Sequence, residues 1–88
     1  MSPRESKTVD LALAILRTAF ENRYAQPDRT PALRLALRVL LPYVDRFQLL
    51  TFWNILDNPN PLQRMNHLRK TYAGIEARVI RLGFRSTP

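Results

Sequence analysis

The sequence contains no cysteine, which excludes disulfides, thiolate zinc sites and cysteine nucleophiles and fits a reducing compartment. Its only histidine is His67, and no pair of residues has a metal-ligand spacing such as H-x-x-x-H or E-x-x-H. A glycine-rich phosphate loop is missing as well. The only two glycines, Gly74 and Gly83, are fewer than a β-rich chain needs for its turns. Long apolar runs are also absent. The longest uncharged stretch, Phe47 to Leu56, is about half of the ~20 residues a membrane span takes. The opening MSPRESKTVD lacks the uncharged apolar run of a signal peptide. These absences predict a soluble, unexported, cytoplasmic protein that does not contact a membrane.

Acidic residues are few and scattered. Asp10, Asp45 and Asp57 fall near predicted helix ends, where local hydrogen bonding or charge pairing accounts for them. No residues assemble into a nucleophile, base and orienting group, so no catalytic residue is assigned. The expectation is a protein that is not an enzyme, with no metal, no cofactor and no small-molecule substrate.

What the chain does have is apolar residues, 45% of its 88 positions, enough for one compact core and not two. A chain of this size buries roughly 60–65% of the surface it exposes when unfolded. Helix signals divide it into four segments, predicting a single all-α, four-helix domain with helices at about 3–24, 31–41, 43–57 and 61–82 and a loose tail at 85–88. Ser2-Pro3-Arg4-Glu5 supplies a cap, a first-position proline and a capping-box acid, although a start near Thr8 fits equally. Val9, Leu13, Leu16, Phe20 and Tyr24 then recur every three or four residues, and Leu11 and Ile15 widen that stripe. Thr30-Pro31 opens the second segment by the same device, and Pro42 ends it. Asn60-Pro61-Leu62-Gln63 opens the last segment, and Gly83 is placed to end it in the left-handed conformation.

The second segment is apolar nearly all round, interrupted by Arg34 and Arg38. The third covers almost every helical angle with apolar side chains. One protomer of this length is not expected to shield both, and unshielded apolar surface marks association. The expected assembly is therefore a homodimer, with Phe47, Leu50, Phe52, Trp53 and Leu56 at its interface.

The last segment has two faces. Met65, Leu68, Tyr72, Ile75, Val79 and Leu82 are spaced 3, 4, 3, 4 and 3 apart, which suits core packing or a self-association seam. Opposite them, Gln63, His67, Lys70, Gly74, Arg78 and Arg81 fall within roughly 80° of one another at 100° per residue. Residues 61–88 also carry six basic residues against one acid, most of the chain's net charge of +7. Such asymmetry points to a polyanion. An arginine-rich composition of genomic origin and a merely solvated face account for the same pattern.

These features predict a small basic protein that binds nucleic acid, DNA ahead of RNA, in a regulatory or architectural role. The predicted contacts are Gln63, Arg64, Asn66, His67, Lys70, Gly74, Arg78, Arg81 and Arg85. The break between the third and fourth segments resembles a helix-turn-helix in outline only. Gln63, Arg64 and Asn66 would then open the second helix, where residues of their type reach base edges. Gly74 at the centre of the stripe would admit another backbone, of a phosphate chain or a partner helix. The alternative is a helical adaptor for an acidic protein partner, using the second and third segments. A membrane-surface helix is a further possibility, disfavoured because the apolar seam is needed for the core.

Overall fold

Four helices follow one another in the computed structural model, which describes residues 3–21 and 30–83: α1 (Pro3–Glu21), α2 (Thr30–Leu40), α3 (Arg46–Ile55) and α4 (Pro61–Arg81). No strand occurs among the described residues. The expected helical positions 22–24, the loop after them and the tail 85–88 lie outside the described residues. The backbones close a ring in chain order, α1 against α2, α2 against α3, α3 against α4 and α4 against α1, with α2 and α3 in slightest contact. The radius of gyration of 12.7 Å is close to the ~12 Å of a compact chain this long.

Helical periodicity decides what fills the ring. Val9, Leu13, Leu16 and Phe20 bury the stripe of α1, while Leu11, one turn edge away, is exposed. From α4, Leu68, Tyr72, Ile75 and Val79 enter the same core. The seam of α4 is therefore core packing over most of its length, and only its ends, Met65 and Leu82, reach solvent. Leu37, Leu40 and Phe52 complete the centre, each contributing about 1.5–3 kcal/mol by burial.

Helix ends follow local chemistry. The third helix does not begin at Tyr43. Instead, Tyr43 and Val44 donate backbone N–H groups to the Leu40 carbonyl at 2.9 and 3.0 Å, closing a turn. The helix then starts at Arg46, where the Asp45 carboxylate accepts the Phe47 N–H at 3.1 Å. Asp45-Arg46-Phe47-Gln48 is a capping-box pattern that the expected start at 43 overlooked, and Val44 and Leu49 take the flanking staple positions, both buried. The helix stops at Ile55, two residues short of expectation, because its last turn tightens: Asp57 and Asn58 donate to Asn54 and Ile55.

Asn60 caps α4 as expected, its side chain accepting the Gln63 N–H at 3.1 Å. The reciprocal half of the capping box is replaced, since Gln63 Oε1 accepts from Asn58 Nδ2 at 3.1 Å. At the other end Gly83 adopts φ +81°, a conformation L residues rarely take, and donates to the Ile80 carbonyl at 3.0 Å.

Candidate nucleic-acid interface

The basic stripe of α4 is not one continuous surface. Its centre is covered by α3. A Cβ built on Gly74 would come 3.1 Å from Gln48 Nε2, so the glycine accommodates a side chain of the neighbouring helix and not an incoming backbone. The face is thus divided at its middle.

Toward the N-terminus, two predicted contacts are engaged locally. Arg64 Nη1 donates to the Asn58 carbonyl at 2.8 Å, and Gln63 bonds Asn58 as described above. Both hold the α3–α4 break in shape. Asn66, His67 and Lys70 are exposed beyond them. Arg69 turns the other way, its guanidinium carbon 5.8 Å above the Phe20 ring. Glu76, the one acid of this helix, accepts a hydrogen bond from the Tyr72 hydroxyl at 2.9 Å on the α1 side, away from the stripe.

Toward the C-terminus, Arg78 and Arg81 border a cleft of about 290 Å³ between α3 and α4, with Asp45, Gln48, Gly74 and Ala77 as its other walls. Arg78 is half-buried, and its Nε and the nearby Gln48 Oε1 are buried without a hydrogen-bond partner. Arg81 is exposed. Among the described residues no carboxylate pairs with Lys70, Arg78 or Arg81. Arg85 lies outside the described residues.

The predicted dimer residues separate as well. Phe47 is 74% exposed and Leu50 48%, and Trp53 and Leu56 are half-buried. Phe52 is 0% exposed within one protomer, so it belongs to the core and is not a surface contact. Its place follows from phase: Leu49 and Phe52, three apart, point into the ring, which turns Phe47 and Leu50 outward.

A second surface lies where α2 and α3 diverge, on the segments the adaptor alternative pointed to, and its lining was not legible in the sequence. Leu37, Leu41, Leu49, Leu50 and Trp53 line an open groove of about 420 Å³. Arg38 and Arg46 stand on its two sides. Trp53 sits under two guanidinium groups, Arg34 at 4.9 Å and Arg38 at 5.5 Å from the ring centroid. Arg34 Nη2 also bonds Asp57 Oδ1 at 2.8 Å, tying α2 to the end of α3. The spacing of Arg34 and Arg38 by four was a legible signal of a shared face, but their aromatic partner on another helix was not.

No group of three or more His, Asp or Glu side chains that could hold a metal ion occurs among the described residues. No helix among them is long and apolar enough to cross a membrane. Compared with known proteins, the chain matches no family model, no curated protein and no solved structure.

Proposed function

We propose that the protein binds nucleic acid, duplex DNA ahead of RNA, through phosphate contacts from α4, in an architectural or regulatory role. One observation carries this reading: Lys70, Arg78 and Arg81 lie along one helix without a carboxylate partner among the described residues. Lys70 and Arg81 are separated by roughly 16 Å along the axis at 1.5 Å per residue. That span equals about five phosphate steps of one strand at 3.4 Å each, so the two parts of the divided face can meet separate phosphates of the same strand. Arginine suits such contacts through its planar fork of donors.

Gln63 and Arg64 hold the inter-helix break, so contact with the phosphate backbone is favoured over base reading. Asn66 is the predicted contact left to reach a base edge. The proposal needs one protomer only. The homodimer expected from the apolar faces is not needed for these contacts; of its five expected interface residues Phe52 is covered within one chain, while Phe47 and Leu50 stay exposed.

The test is titration of the protein into a short labelled duplex at low salt, followed by anisotropy. About three neutralised phosphates give a log–log salt slope near −2.7, at roughly −0.9 per phosphate. Arg78→Glu with Arg81→Glu abolishes binding while circular dichroism is unchanged. Absence of binding at roughly tens of micromolar protein and low salt, conditions under which non-specific phosphate binding is already expected, overturns the proposal.

A further inference from the structure

The groove between α2 and α3 stands apart from the α4 stripe and does not depend on the nucleic-acid reading. Its floor is apolar, with Leu37 and Leu49 buried beneath and Leu41 and Leu50 half-exposed at the walls. Its rims are cationic. Neither Arg38 nor Arg46 has a carboxylate partner among the described residues. Trp53 is held between floor and rim by the guanidinium groups of Arg34 and Arg38, so a large anchor side chain is already ordered. Tryptophan and arginine in this arrangement are the residue types that dominate binding energy at interfaces.

We propose that this groove docks an amphipathic helix of a different protein, with aliphatic anchors facing Trp53 and Leu50 and carboxylates flanking them toward Arg38 and Arg46. The occupant is helical because both walls are helices with their main-chain groups already bonded, so an entering segment must satisfy its own backbone. Anchors at i, i+3, i+4 and i+7 span about 10 Å, two turns. The occupant is acidic because the rims are arginine on both sides. A second copy of this chain is the wrong occupant. Symmetric pairing would set the same arginine rims against each other, in a chain whose net charge is +7. Nucleic acid is excluded from the floor, since phosphates find no donors among leucines.

Trp53 is the only tryptophan, and it lines both this groove and a neighbouring cleft beside Thr30, Arg34 and Leu35, so a shift is assigned to the groove by its loss in Leu50→Asp, which lines the groove and not that cleft. The probes are two stapled helical peptides with leucine at i, i+3, i+4 and i+7, one flanked by glutamates and one by lysines. The glutamate peptide is expected to blue-shift Trp53 emission and saturate, and the lysine peptide to leave it unchanged. Arg38→Glu with Arg46→Glu weakens the glutamate peptide about tenfold, the scale of two exposed ion pairs, and lets the lysine peptide bind. Leu50→Asp, at a half-exposed wall, removes binding with circular dichroism intact. Four outcomes overturn the proposal: no emission shift with the glutamate peptide, equal binding of both peptides, a concentration-dependent dimer that Leu50→Asp splits, or a Trp53 shift with phosphatidylglycerol vesicles in place of the peptide. Because the duplex titration uses α4 variants and these use α2 and α3, either proposal can fail alone.

Discussion

Replacing Gly74 by alanine places two effects of known size in opposition. An interior helix glycine costs about 0.8–1 kcal/mol relative to alanine, so the substitution begins with that much stabilisation. Against it stands the new methyl group, 3.1 Å from Gln48 Nε2, tighter than ordinary contact by a few tenths of an ångström. The sign depends on whether Gln48 can give way. The opposing atom is the far end of a flexible side chain, and its companion Oε1 has no hydrogen-bond partner. Nothing anchors the amide, so it moves aside. A net gain of about 0.5–1 kcal/mol is expected, which raises Tm by roughly 3–6 °C for a domain of this size. Thermal melts of wild type and Gly74→Ala measure it, and Gln48→Ala in both backgrounds isolates the clash. In the Gln48→Ala background the full helix-propensity gain should appear. A fall in Tm would mean that Gln48 is held in place and the reasoning is wrong. The same variant tests the role first expected of the glycine. Duplex binding is expected to survive Gly74→Ala, and its loss with the fold intact would show that a backbone does approach there.

Asn60→Ala and Asp45→Ala should each lower stability by about 1 kcal/mol, read by urea denaturation at constant m, since each side chain accepts a first-turn N–H. Phe52→Ala removes a fully buried ring and should cost about 3–5 kcal/mol, against at most a few tenths for Phe47→Ala on the exposed side of the same helix. Equal effects would invert the assigned phase of α3. Lys70→Gln or Arg81→Gln should each flatten the salt dependence of duplex binding by about one unit without changing sequence preference.

Several elements were legible because their causes are local. Asn60 before Pro61, Gly83 after the last apolar turn, and the spacing of Val9, Leu13, Leu16 and Phe20 act within one or two turns of chain. Each operates whatever the rest of the molecule does. The start of α3 was equally local, written in Asp45 and Gln48, and was obscured by an apolar run and by Pro42.

The sequence alone thus determined the helical class, the number of helices, most of their ends and the concentration of positive charge in the last third. It could not determine which faces are covered. In α3 apolar side chains point in nearly every direction, so periodicity carries no phase, and only packing against α4 decides that Phe52 is core while Phe47 is surface. Likewise the α4 stripe is continuous by angle but interrupted in space, because α3 lays Gln48 over Gly74. The groove and its arginine-stacked tryptophan arise from residues about 15–20 positions apart. Their meeting depends on how two helices diverge, a relation set by the packing of the whole ring and by no short segment within it.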